Sequence, residues 1–104
     1  MTWGTTPEAD ADLIRGREWI EADNPDAAQE FLKTAREGFD RLAQFPEIGP
    51  LARLKGKELQ GMRFCLLSPP FNRWIIFYRV RATVEIIRML YGVQNWRQEP
   101  NRFF

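Results

Sequence analysis

The chain has 104 residues, of which 44% are hydrophobic and 28% charged, with a formal net charge of +1, and these are the proportions of one ordinary globular domain rather than of a disordered segment. It has no histidine and one cysteine, Cys65, which excludes an internal disulfide framework and effectively a zinc site, and removes the commonest acid–base residue. No apolar run approaches the roughly 20 residues of a membrane span, and the first residues show no basic region followed by an apolar core, so we expect a cytoplasmic protein with no membrane contact, metal or cofactor.

Residues 2–5 read as a short first strand. Thr6-Pro7-Glu8 then starts a helix, with Thr6 as N-cap and Pro7 at the first helical position. Leu13, Gly16 and Ile20, with Ala9 behind them, line one face of that helix, and Trp19 sits at its edge. Asp23-Asn24-Pro25-Asp26 ends it and starts a second helix capped by Asn24. Ala28, Phe31, Leu32, Ala35, Phe39, Leu42 and Phe45 recur at three- and four-residue spacing along the second helix. So short a connection makes the two an antiparallel hairpin.

Phe45 to Pro50 carries the Pro and Gly punctuation that stops the second helix. Residues 51–60, with Arg53, Lys55 and Lys57 around Gly56, form a basic loop; its cations either line a phosphate-binding edge or simply solvate the loop. Residues 61–67 alternate as a strand, which makes Cys65 a small core residue, and Ser68-Pro69-Pro70 is a turn. Residues 72–92 form a hairpin of two strands dense in Ile, Val, Phe, Tyr and Trp. With Arg81 and Ala82 as the turn, Val80 faces Thr83, Tyr78 faces Glu85, Ile76 faces Ile87 and Trp74 faces Met89; Arg-Ala is a weak turn signal, so a longer turn stays open. That register places Arg73, Arg79 and Arg88 on one face beside Ile75 and Phe77. Residues 93–104 are a tail whose Phe103 and Phe104 either fold back on the core or await a partner.

The order is thus β-α-α-β-β-β, a helical hairpin packed on a small antiparallel sheet in one α+β domain spanning 1–104. Its charge is polarised: residues 1–50 hold eleven acidic and five basic residues, residues 51–104 three acidic and ten basic. Such a dipole suits an acidic partner at one end, or acidic helices that balance a basic sheet. No Gly-rich phosphate loop, paired-cysteine motif or nucleophile elbow is present. Asp10 and Asp12 sit two apart on a helix and do not converge.

Thr-Pro-Glu-Ala-Asp-Ala-Asp-Leu (6–13), Asn-Pro-Asp-Ala-Ala (24–28), Leu-Ala-Gln-Phe-Pro-Glu-Ile-Gly (42–49), Gly-Met-Arg (61–63), Ile-Ile-Phe-Tyr-Arg-Val (75–80) and Val-Glu-Ile-Ile-Arg-Met-Leu-Tyr-Gly (84–92) together resemble the RelE/ParE superfamily, the toxins of bacterial type II toxin–antitoxin modules, also described as plasmid stabilisation proteins. The resemblance implies the same β-α-α-β-β-β fold and a cognate antitoxin whose C-terminal segment wraps the toxin. RelE-like members cleave mRNA on the ribosome with lysines, arginines and a tyrosine on the sheet and tail; ParE-like members inhibit DNA gyrase and trap cleaved DNA. In this chain two of the RelE-type arginine positions fall on Ile75 and Gln94, and one of the second-strand lysine positions falls on Cys65. The ParE-type pattern, Asn-Pro-x-Ala-Ala with Phe-Tyr-Arg-Val and Val-Glu-Ile-Ile-Arg, is retained.

The resemblance therefore implies a toxin that binds and inhibits gyrase, with Arg73, Arg79, Arg88, Tyr91, Trp96 and Arg97 as target-binding candidates and Leu13, Trp19, Phe31, Phe103 and Phe104 as antitoxin-binding candidates. The alternatives are a ribosome-dependent endoribonuclease acting on mRNA through Arg63, Arg79, Arg88 and Tyr91, or a weakened relative that keeps antitoxin binding.

Overall fold

The computed structural model describes residues 1–93 and 95–104. Its elements are β1 (Trp3–Thr5), α1 (Pro7–Glu21), α2 (Pro25–Gln44), β2 (Arg63–Leu66), β3 (Trp74–Val80) and β4 (Val84–Tyr91), with single 3-10 turns at Lys57–Leu59 and Pro100–Arg102. Both helices start at their expected caps. Thr6 Oγ1 accepts from the Ala9 N–H at 3.0 Å and Asn24 Oδ1 from the Ala27 N–H at 3.1 Å, each with proline following at the first helical position. Along α2, Ala28, Phe31, Ala35, Phe39 and Leu42 are buried as the stripe requires, while Leu32 and Phe45 at its margins are exposed.

The sheet runs β1-β4-β3-β2. β2, β3 and β4 form the expected antiparallel meander, but β1 pairs with β4 in parallel, so the sheet is mixed. A three-residue strand carries no directional signal of its own. Its direction follows from what comes next: Thr6 donates its N–H to Ile86 O at 3.0 Å and its hydroxyl to Ile87 O at 2.8 Å, so β1 and the start of α1 lean on the same strand.

The register of the β3–β4 hairpin differs from expectation in two steps. The turn takes three residues, Arg81 to Thr83, so Val80 opposes Val84, closed by the Arg81 N–H donating to Thr83 O at 2.9 Å. Ile86 then opposes Tyr78 and Arg88 opposes Phe77, which leaves Ile87 unpaired as a β-bulge. Beyond the bulge the strand changes phase. Val84, Ile86 and Met89 all face the helices, whereas a regular strand would have turned Met89 away.

Two apolar layers result. Trp74, Ile76 and Tyr78 join Val84, Ile86 and Met89 beneath Phe31, Ala35, Phe39 and Leu42. On the far face Ile75, Phe77 and Leu90 are covered by Ala52, Leu54, Met62 and Trp96, with Phe103 and Phe104 packed against them. The terminal phenylalanines therefore fold back. The segment after α2 is pinned by Tyr78, whose hydroxyl donates to Pro46 O and accepts from the Gly49 N–H, both at 2.9 Å. Gly49 is required there: a Cβ would sit 2.5 Å from Phe64 O and 2.6 Å from the Tyr78 hydroxyl.

Candidate functional site

Asp12 lies at the three- and four-residue spacing of Ala9 and Gly16 on the inner face of α1, and all three are buried. At 4% exposure it is the one buried charged side chain among the described residues. Its carboxylate accepts from Arg88 Nε at 2.7 Å and Nη2 at 3.0 Å, from Arg15 Nη2 at 2.6 Å and from the Met89 N–H at 3.0 Å. β1 covers the outer edge of β4 only as far as Ile86, so beyond it the Met89 N–H and the Arg88 guanidinium meet the same carboxylate of α1. Hydrogen bonding to Asp12 raises the Arg88 pKa above its ordinary value despite burial. Arg88 also donates to Phe103 O at 2.6 Å, so one guanidinium joins α1, β4 and the tail.

Beside this network an aromatic chain runs from the core to the surface. Phe31 meets Trp74 at 4.8 Å between ring centroids, Trp74 meets Tyr91 edge to face at 5.2 Å, and Tyr91 meets Trp19 at 5.1 Å. Gly16 makes room for it, since a Cβ there would lie 2.7 Å from the Trp74 ring. The chain ends in solvent: Trp19 is 60% and Tyr91 40% exposed. Arg73 lies over the Tyr91 ring at 5.4 Å, a cation–π arrangement. Asp12, Arg15, Gly16, Trp19, Trp74, Arg88, Met89, Leu90 and Tyr91 line a shallow cavity of about 280 Å³.

The structure brings Arg88, Tyr91 and Trp19 together at this cavity, with Arg73 beside it over the Tyr91 ring, and separates the other candidates from it. Arg73 precedes β3 and Arg79 lies near its end, about 20 Å apart at the rise of a strand, so with Arg88 opposite Phe77 the three arginines share a face without forming one cluster. Arg79 instead donates to Glu58 O at 2.5 Å. Arg63 donates to Gly49 O at 2.7 Å and braces the loop that Tyr78 holds. Trp96 and Phe31 are corrected as surface candidates: Trp96 is buried between Phe64 and Phe77, and Phe31 is 0% exposed in the main core. Exposed Arg97 stacks on Trp96 at 4.2 Å. Leu13 is half-buried against the helix-side core, and Phe103 and Phe104 are half-buried against the far face. Gln94 lies outside the described residues.

Chemically the arrangement suits binding more than proton transfer. Burial pushes the Cys65 thiol up to about 11, partly opposed by Arg41, so it stays neutral and a poor nucleophile. Burial also raises the Tyr78 pKa, and its hydroxyl is already committed to Pro46 and Gly49. Among the described residues no group of three His, Cys, Asp or Glu side chains could hold a metal. Among the described residues no helix is long and apolar enough to cross a membrane. Asp12 is the residue sequence reasoning missed; its place in register with Ala9 and Gly16 was the available signal.

A family model described as the ParE toxin of the type II toxin–antitoxin system parDE matches residues 5–96. A protein of Sinorhizobium fredii named "Putative toxin Y4kP" is 32% identical over 80 residues, which covers 77% of this chain and 76% of that protein. A solved structure from P. aeruginosa, titled as a chromosomal ParDE system, superposes with a TM-score of 0.70 at 21% identity over 89% of this chain and 97% of its own, and shows the fold.

Proposed function

The chain belongs to the ParE toxin family of type II toxin–antitoxin systems, and on that premise we propose that it acts in the cytoplasm by binding DNA gyrase and is neutralised by its cognate antitoxin. The observation that carries a binding rather than a cleaving mechanism is the state of the sheet. A nuclease of the RelE kind needs cations and an acid–base group over the sheet and tail, where a phosphodiester would lie. Here Ile75, Phe77 and Leu90 fill that face, and Trp96, Phe103 and Phe104 from the tail close over it. The arginines proposed for cleavage are spent on structure: Arg63 and Arg79 on loop carbonyls, Arg88 on Asp12 and Phe103 O. What stays exposed is a rigid Trp–Tyr–Arg group, the composition of protein-binding hot spots.

The test pairs two assays on one preparation. Supercoiling of relaxed plasmid by purified gyrase should fall as the chain is added and recover when the cognate antitoxin follows. In a translation extract the same preparation should leave mRNA intact. Unaffected supercoiling together with codon-biased mRNA cleavage would reverse the proposal in favour of the nuclease.

A further inference from the structure

We propose that the Trp19–Tyr91 cavity is where an acidic segment of the cognate antitoxin docks, with an apolar side chain seated against Trp19 and Tyr91 and carboxylates met by Arg15 at the cavity and by Arg73 beside the Tyr91 ring. The proposal rests on the toxin–antitoxin reading above and names the surface that reading leaves open.

Three observations converge on this surface. The first is rigidity. Trp19 and Tyr91 are the outer members of an edge-to-face series that continues through Trp74 to Phe31 in the core, so the exposed rings are held before any partner arrives. Pre-ordered aromatic side chains lose little entropy on binding, which is why such groups dominate interfaces. The second is charge. Arg15 and Arg88 line the cavity and Arg73 lies beside it over the Tyr91 ring, against one lining carboxylate, Asp12, which is already shared by Arg88, Arg15 and the Met89 N–H. Among the described residues Arg73 has no carboxylate within ion-pairing distance, and the Arg15 side chain is 65% exposed. The patch is thus cationic, on a chain whose second half carries ten basic and three acidic residues. The third is shape. Trp19, Trp74 and Tyr91 give the cavity an apolar wall, and Arg15 and Arg88 line it as well.

A protein segment fits better than a nucleic acid. The rings meet at 68° and 60° rather than in parallel, and Arg73 covers the Tyr91 face. Successive bases would find no pair of open, parallel platforms. A peptide needs one apolar anchor and a rim of opposite charge, and both are offered here.

The test uses the full chain and its cognate antitoxin, recovered from the co-expressed complex by denaturation and refolding. Titration calorimetry at low and high salt would compare wild type, Trp19→Ala, Arg73→Glu and, as a control on the exposed side of α2, Lys33→Glu. Trp19→Ala should weaken binding about 30-fold, the loss typical of a hot-spot aromatic. Arg73→Glu should weaken it and flatten the salt dependence, and Lys33→Glu should bind as wild type does. Trp19 is exposed, so circular dichroism should be unchanged in its variant; should that variant fail to fold, Arg73→Glu decides alone. Equal affinity of all four chains would place the docking site elsewhere and overturn the proposal. A single-stranded oligonucleotide that binds and loses affinity in Trp19→Ala, while antitoxin binding survives, would overturn it as well. No binding of the antitoxin to wild type would instead overturn the toxin–antitoxin reading itself.

Discussion

Replacing Asp12 by Asn keeps the volume of the side chain and removes its charge, which isolates the role of the network that ties α1 to the bulged strand. The carboxylate accepts four hydrogen bonds, from Arg88 twice, Arg15 once and the Met89 N–H. An asparagine presents one acceptor oxygen and an NH₂ group, so it can keep the Met89 bond only by turning a donor toward donors. Removing one partner of a buried ion pair costs about 3–5 kcal/mol. Arg88 keeps 23% of its side-chain exposure, so water relieves part of the loss and the lower end applies, about 3 kcal/mol. For a domain of this size each kcal/mol moves Tm by about 4–8 °C, so Asp12→Asn should lower it by roughly 12–24 °C. Thermal unfolding followed by circular dichroism measures this. A cycle with Arg88→Met sharpens it, since the double variant should lose less than the two singles combined, with a coupling of about 1–3 kcal/mol. A fall of only a few degrees, or simple additivity, would refute the argument that Asp12 and Arg88 act as one unit.

Gly49→Ala should be strongly destabilising in urea unfolding, since its Cβ meets the Phe64 backbone oxygen and the Tyr78 hydroxyl, whereas Gly4→Ala, with nothing within 4 Å, should be near neutral. Tyr78→Phe should cost about 1–3 kcal/mol by leaving the Gly49 N–H and Pro46 carbonyl without their partner. Alkali should destabilise the chain through Cys65: its folded pKa is raised from 9.0 to about 11, so the unfolded state loses its proton first, and stability present below pH 9 is lost as pH rises toward 11. Cys65→Ala should flatten that part of the urea-midpoint profile, and an unchanged slope would count against a buried thiol. Deleting residues 99–104 should uncover Phe77 and shift Trp96 emission to longer wavelength, because the Phe77 ring is packed by Phe104 at 4.9 Å and by Trp96 at 5.0 Å.

The helices were legible because their signals are local. Thr6-Pro7 and Asn24-Pro25 specify two starts through one side-chain hydrogen bond each, and the α2 stripe from Ala28 to Leu42 specifies its buried face. The hairpin was legible as a pair of strands but not in register. A three-residue turn at 81–83 and the unpaired Ile87 leave no mark on a pattern in which both faces are apolar, since Val84, Ile86, Ile87, Met89 and Leu90 satisfy either phase. The shared arginine face survived the change, since Arg88 still opposes Phe77, but Val84 and Ile86 left it for the helix side. The direction of β1 was invisible for lack of length. Tyr91 and Trp19 were each singled out, but their contact depends on the bulge, which turns the end of β4 toward α1. Asp12 was hidden for the opposite reason: a carboxylate in a helical stripe reads as solvated until the arginine that pairs with it, 76 residues away, is placed.

Inhibition by binding differs from catalysis in its stoichiometry, and this tests the central claim most directly. Gyrase held at a fixed concentration well above the complex's Kd would be titrated with the chain, and the supercoiling rate recorded at each step. A linear fall that ends near equimolar chain and gyrase sites is expected, with mRNA intact in the same preparation. Supercoiling that continues undiminished past an excess of folded chain would contradict it, as would complete loss at a small fraction of the gyrase concentration.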